Sequence, residues 1–297
     1  MHNDIQREGL EQTDNPLGME GIEFIEYFTP KPQALGQVLE SMGFHPVARH
    51  RSREVLLYRQ GDMNIIVNAH DAQGSRLSEQ HGGPIIGAIA LRVRDANLAY
   101  RRALDKGAWA VPTHVEVMEL NIPAVHGVGS SRIYFVDRFK EFSIYDVDFV
   151  PIPGVDQRPA PLAGFHFFGA VQYIGWDRTE DWTEFYAELF GFTPIPDDQR
   201  YGVMPKGRLL KSACGKFYVQ LVEPEPGLLD IESDELIARL GLGCPDVPAA
   251  VAALRGRGVA FVERGAASPS TRGALTETQL GSVTFELVHS DLAGVAS

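Results

Sequence analysis

Two blocks recur in the same order along the chain, and this constrains the fold more than any other feature. Residues 33–42 carry Leu35, Val38, Leu39 and Met42 at helical spacing and end in Gly43-Phe44. Residues 181–190 repeat that pattern and end in Gly191-Phe192, so Ser41-Met42-Gly43-Phe44 matches Leu189-Phe190-Gly191-Phe192. Asp95 opens a helix that Gly107 stops, and Asp246 opens one that Gly258 stops. Strand patterns surround both blocks. They fall at 22–28, 48–67 with Gly61-Asp62 as a turn, 84–93, 132–136 and 142–149 in the first half. In the second half they fall at 165–174, 216–222, 236–243 and 283–288. This is an internal duplication of units that mix helices and strands. Pro151-Ile152-Pro153 and Pro159-Ala160-Pro161 separate the copies. The expected division is a flexible tail at 1–20, a structural module at 21–150, a linker at 151–161 and a site-bearing module at 162–297.

The chain has 297 residues, room for two modest domains. Its formal charge of -12, from 27 basic and 39 acidic residues, argues against nucleic acid or an anionic membrane as partner. The one basic cluster, Arg49-His50-Arg51-Ser52-Arg53, reads as a solvated turn. With only Cys214 and Cys244, no disulfide framework is possible, and a reducing cytoplasm is the default expectation. The N-terminal stretch has no apolar core of a leader, and no apolar run is long enough to span a bilayer.

Chemistry concentrates in the last strand. Phe285 and Leu287 point one way, Thr284, Glu286 and Val288 the other. Strands deplete Glu, and an unpaired buried charge is costly, so a metal, an arginine or open water must compensate Glu286. The same alternation puts Tyr218 and Gln220 on the inner face of their strand. It puts Arg239, beside Gly241 and Gly243, on the inner face of another. Arg239 and Glu286 are therefore expected to meet in one cup. Other motifs are weaker: Gly127-Val128-Gly129 precedes a strand and reads as a turn, and Cys214 as a packing thiol.

The first half resembles the N-terminal domain of bacterial 4-hydroxyphenylpyruvate dioxygenases. The motifs are Asn15-Pro16-Leu17-Gly18, Glu23-Phe24-Ile25-Glu26-Tyr27, Ala48-Arg49-His50-Arg51 and residues 55–62. Glu119-Leu120-Asn121-Ile122-Pro123-Ala124 and Ile133-Tyr134-Phe135-Val136-Asp137-Arg138 continue it. Trp182-Thr183-Glu184-Phe185-Tyr186, Cys214-Gly215-Lys216 and Thr276-Glu277-Thr278 carry it into the second half. The resemblance implies an α+β fold of two tandem vicinal-oxygen-chelate modules, built of paired βαβββ units as open barrels with outer helices. It also implies an Fe(II) site in the second module, made by two histidines and a glutamate. The glutamate falls on Glu286, but the histidines fall on Gly169 and Arg239, neither of which can ligate iron. His166 and His289 sit at odd offsets from these positions, so alternation turns both away from the cup unless a bulge intervenes. In the first module, Glu26, Ala88 and Tyr145 are the expected counterparts of Gly169, Arg239 and Glu286.

The expected function is thus a family member with a degenerate iron site and no catalytic or metal-binding residues. It binds a small organic acid or aromatic metabolite through Arg239, Glu286, Gln220 and Tyr218. No cofactor is expected, except Fe(II) if the family activity is retained, and a homo-oligomer is compatible with the sequence. The alternatives are an active Fe(II)-dependent 4-hydroxyphenylpyruvate dioxygenase and a non-catalytic interaction module. Replacing both Gly169 and Arg239 by histidine is expected to rebuild a metal face beside Glu286.

Overall fold

The computed structural model describes residues 15–112, 120–129, 131–196, 199, 201–203, 207–224 and 234–291. Of the tail expected at 1–20, residues 1–14 lie outside them. Residues 15–20 are packed: Leu17 and Met19 are buried, and the Asn15 side chain accepts the Met19 N–H at 2.8 Å.

The first copy begins with β1 (Gly21–Phe28), α1 (Pro32–Ser41), β2 (His45–His50), β3 (Val55–Gln60) and β4 (Met63–Asn68). It continues with α2 (Ala72–Gln80), β5 (Ile85–Arg92), α3 (Ala96–Asp105), β6 (Ala124–His126) and β7 (Arg132–Val136). It closes with α4 (Ile144–Asp148) and β8 (Phe149–Pro151). The second copy holds β9 (His166–Tyr173), α5 (Thr179–Phe190), β10 (Thr193–Pro194), β11 (Arg208–Lys211) and β12 (Tyr218–Val222). It ends with β13 (Leu236–Cys244), α6 (Val247–Arg255), β14 (Gly273–Leu275) and β15 (Phe285–His289).

Strand pairing repeats as the sequence does. β1 lies parallel to β4 and antiparallel to β5, while β7 lies parallel to β5 and antiparallel to β6. In the second copy β9 lies parallel to β12 and antiparallel to β13, and β15 lies parallel to β13 and antiparallel to β14. One pairing, Ile237 with Ile86, joins β13 to β5 and makes the strands one continuous sheet.

The helix ends are where the repeat predicts them. Asp95 and Asp246 cap α3 and α6 by accepting the N–H groups of Leu98 and Ala249. Gly43 and Gly191 take positive φ, +95° and +72°, which turns the chain sharply after α1 and α5. The outer face of each strand packs on the helices. Ile25, Ile89 and Phe135 meet Leu35, Leu39 and Ala103 in one half, and Leu240, Leu242, Phe285 and Leu287 meet Val251 and Leu254 in the other. Each copy therefore has an inner face turned away from these helices, forming a cup, and in the first copy the short helix α4 packs Ile144 and Tyr145 against that face.

The predicted strand at 142–149 is instead α4 followed by β8. Ser143 and Asp146 form a reciprocal capping box that starts the short helix, so Tyr145 is helical. Helix α2 has no counterpart in the sequence reading. Its buried positions are the small residues Gly74 and Ser78, which leave no apolar periodicity to see.

Candidate functional sites in two cups

The four residues singled out in the second copy all belong to its inner face. Tyr218 and Gln220 alternate with the core residues Val219 and Leu221 on β12, and Arg239 and Glu286 alternate with core residues on β13 and β15. Arg239 Nε lies 3.0 Å from Glu286 Oε2, and the two residues are 5% and 4% exposed. The other carboxylate oxygen, Oε1, accepts the Val203 N–H at 2.8 Å. Gly202 crosses directly above: a Cβ at this position would fall 2.1 Å from Glu286 Oε1. Its φ of +65° also favours glycine, so the segment approaches as only a glycine can. Tyr201 stacks near Phe168 and Tyr218, at ring distances of 5.5 and 5.2 Å, and Phe168 stacks on Tyr218 at 4.6 Å. Burial pushes the Tyr218 phenol up to about 12, with Tyr201 adding to the shift. The second cup is thus filled by an ion pair, a backbone segment and an aromatic stack. Among the described residues, Arg239 Nη2 is buried with no hydrogen-bond partner.

The fit to a metal fails on these observations. Gly169 supplies no donor, and a Cβ there would fall 2.5 Å from the Tyr218 carbonyl oxygen, so β12 occupies the room a longer side chain needs. Arg239 is a cation, and Glu286 has both oxygens engaged. Among the described residues, no group of three or more His, Cys, Asp or Glu is placed to hold a metal ion.

His166 corrects the face assignment. Gly241 pairs with Gly169 but Leu242 pairs with Phe167, so Phe168 is the extra residue of a β-bulge. The bulge returns His166 to the inner side, where its ring covers Gly243 and its Nε2 lies 3.0 Å from Ser290 Oγ. Burial lowers its pKa, with a weaker opposing effect from the Gly164 carbonyl. His289 is exposed at the end of β15 and shares the outer side with Phe285 and Leu287.

Among the described residues, the first cup is open. Pairing sets Ala88 opposite Glu26 and Arg132 beside Ala88, whereas Gly241 is opposite Gly169 and Glu286 beside Gly241. The counterpart of Glu286 is therefore Arg132, not Tyr145, and that of Gly241, rather than Arg239, is Ala88. A cavity of about 1150 Å³ lies over this row. Glu26 is 7% exposed and accepts from Asn68 Nδ2 at 2.8 Å. Arg132 Nη2 donates to Asp71 Oδ2 at 2.9 Å, and its guanidinium lies 5.2 Å from the centre of the Phe28 ring. Asp71 also caps α2 through the Gly74 N–H at 2.7 Å. Desolvation raises the Glu26 pKa, against lowering by Asn68 and Arg132. Desolvation likewise works against the charge of Asp71, but the Gly74 N–H and Arg132 outweigh it and lower its pKa. The Tyr134 phenol is pushed up to about 12 by burial, with Glu26 adding to it. Sequence reasoning passed over this set although a signal existed. Glu26 is a mid-strand carboxylate on an inner face, which is the same argument that singled out Glu286.

Residues 13–150 match the family model described as hydroxyphenylpyruvate dioxygenase, N-terminal. The chain is 42% identical over 186 residues to a 4-hydroxyphenylpyruvate dioxygenase of Pseudomonas sp. (strain P.J. 874), a match covering 61% of this chain and 51% of that protein. It is 32% identical over 259 residues to the 4-hydroxyphenylpyruvate dioxygenase of Pseudomonas aeruginosa, covering 84% of this chain and 73% of that one. The chain belongs to the 4-hydroxyphenylpyruvate dioxygenase family. Its fold agrees. A solved fusion of a xylose isomerase-like TIM barrel with a 4-hydroxyphenylpyruvate dioxygenase matches with a TM-score of 0.73 and 25% identity, over 94% of this chain and 52% of that one. The family architecture of tandem vicinal-oxygen-chelate modules is thus the α+β fold described above. The chain spans only about half the length of the first of these dioxygenases.

Proposed function

We propose that this chain is a metal-free member of the 4-hydroxyphenylpyruvate dioxygenase family that binds a small aromatic or 2-oxo acid without Fe(II) dioxygenase chemistry. One observation carries the reading: both oxygens of Glu286 are engaged by this chain's own groups, Arg239 and the Val203 N–H. A carboxylate in that state is already neutralised by a guanidinium and enclosed by its own chain, and the two positions that would complete a facial set hold Gly169 and Arg239. In the second cup, an acid's carboxylate would have the unpartnered Arg239 Nη2 as its donor. Residues 201–203 would have to lift to admit it.

The second reading is an active Fe(II)-dependent dioxygenase, and similarity to proteins of that name favours it. Metal analysis after incubation with Fe(II), together with assay for homogentisate from 4-hydroxyphenylpyruvate, decides between the two. The expected result is no stoichiometric metal and no product. One Fe(II) per chain with turnover would remove the metal-free reading.

A further inference from the structure

We propose that the first-module cup is a binding site for a small aromatic carboxylic acid, with the carboxylate at Arg132 and Tyr134 and the ring against Phe24, Phe28 and Ile66. This deepens the binding half of the function proposed above and does not depend on its metal-free half. The cavity, about 1150 Å³, is somewhat larger than the usual small-molecule site. Its chemistry is divided. Phe24, Ile66, Ile144 and Phe149 supply apolar surface, Glu26, Asn68, Asp71, Arg132 and Tyr134 form a polar end that begins beside Phe24 and Ile66, and His50, Arg53 and Asp148 also line the cavity.

That polar end is built rather than accidental. Arg132 is held by Asp71, and Asp71 is fixed in turn as the cap of α2. Asn68 holds Glu26 with its amide and accepts the backbone N–H groups of His70 and Asp71 with its carbonyl. A guanidinium has five N–H donors, and among the described residues the side chain of Arg132 is hydrogen-bonded to Asp71 and to the Tyr134 hydroxyl. The remaining donors suit a planar carboxylate, which an arginine fork reads in two bonds. Burial disfavours the charged form of Glu26, which lessens its repulsion of a bound carboxylate. This end offers one guanidinium fork, so a second carboxylate would find no such partner there and would have to be buried against apolar surface. This favours a mono-acid with an apolar body. Across the mouth the second module contributes Trp182, whose indole N–H donates to Glu235 at 2.9 Å.

Calorimetric titration of the full chain with 4-hydroxybenzoate and with its neutral counterpart 4-hydroxybenzyl alcohol tests the proposal. The acid is expected to bind saturably and the alcohol more weakly. Arg132→Gln is expected to weaken the acid by more than about tenfold, the loss of a charge-assisted bond. Since that variant strands Asp71, Tyr134→Phe, which keeps the ring, provides the milder probe and is expected to weaken the acid several-fold. Arg255→Gln, at the exposed end of α6 and outside both cups, is expected to leave the affinity unchanged. The proposal is overturned if the folded chain binds no acid, or if the alcohol binds as tightly as the acid. It is also overturned if Tyr134→Phe has no effect while Tyr218→Phe or Arg239→Lys abolishes binding. That last outcome would keep the binding reading and move it to the second cup. Conversely, iron uptake beside acid binding at Arg132 would remove the metal-free reading and leave this inference standing.

Discussion

The two cups are copies of one strand arrangement with opposite outcomes. In the first, the row Glu26–Ala88–Arg132 places two charges on strands separated by an alanine, and each finds another partner, Asn68 and Asp71. Those partners sit at the edge, so the middle of the cup stays open. In the second, Gly169–Gly241–Glu286 leaves one charge on the row, and Arg239, on the adjacent strand, reaches across to it. Glycines remove the bulk between them, and the segment at 202–203 settles onto the pair. The difference teaches that the sheet does not decide whether a cup is a cavity. The position of the compensating group does.

The sharpest way to break this comparison is to remove each arginine. Arg239→Ala strands a carboxylate that is 4% exposed and is expected to cost about 3–5 kcal/mol in urea unfolding. Arg132→Ala strands Asp71, whose side chain is 20% exposed and keeps the Gly74 N–H, so a loss of only about 1 kcal/mol is expected. Equal losses would mean that the two ion pairs play the same role, and the contrast drawn here would fail.

A smaller effect is expected from attempted restoration of the metal face. Arg239→His is isolated from steric trouble, but Gly169→His must place a Cβ that meets the Tyr218 carbonyl at 2.5 Å. The sequence alone favoured metal binding by the double variant. The closed cup reverses that expectation: Gly169→His is expected to add about 1–3 kcal/mol of overpacking beyond the loss of Arg239, with no Co(II) absorption band in the visible. A folded double variant that binds Co(II) would show that β12 yields easily and that the second cup is only shut, not filled.

How much of this was legible in the sequence depends on how far apart the cooperating residues are. The Gly-Phe helix ends and the Asp caps are local signals, and α1, α3, α5 and α6 follow them. The meeting of Arg239 with Glu286 was readable because alternation along strands fixes faces without knowledge of the loops. The bulge at Phe168 was not, since it depends on pairing with β13, and it reversed the side of His166. The first cup was hidden for a related reason. Glu26, Asn68, Asp71 and Arg132 come from β1, β4, the cap of α2 and β7, and no spacing motif ties them together. Misreading residues 142–149 as a strand then supplied a false counterpart for Glu286, although Ser143 and Asp146 already spelled a helix start.

The open cup should also differ in its response to pH. The folded state holds the Glu26 proton more tightly than the unfolded chain does, because burial raises its pKa from the ordinary 4.5. A carboxyl shifted in this direction favours the folded state at low pH and loses that contribution as pH rises through the window above 4.5. Glu26→Gln keeps an acceptor for Asn68 and removes the titration. It is expected to be more stable than the parent near neutral pH and to lose the advantage in acid, as read from thermal midpoints across pH. An unchanged or lower midpoint at neutral pH would show that the Glu26 carboxylate is well compensated, and its part in the proposed site would fall.

The smallest effect is expected where the two modules meet at the surface. Lys106 on α3 and Glu188 on α5 form an ion pair with a 2.8 Å contact, but their side chains are 44% and 54% exposed. Water and salt screen such a pair, and fixing two long side chains costs entropy. Beneath it Phe135 and Phe190, both fully buried, stack at 6.2 Å across the same seam. If the buried aromatics couple the modules, Lys106→Ala should leave a single unfolding transition with no resolved change in midpoint, at low and at high salt alike. The comparison of the cups depends on this result, because stability differences between Arg239 and Arg132 variants can be read on one scale only when both cups unfold together. Two separated transitions in Lys106→Ala, merging again when the charge is restored by Lys106→Arg, would assign the coupling to the ion pair. The losses at the two cups would then have to be measured as properties of separate modules.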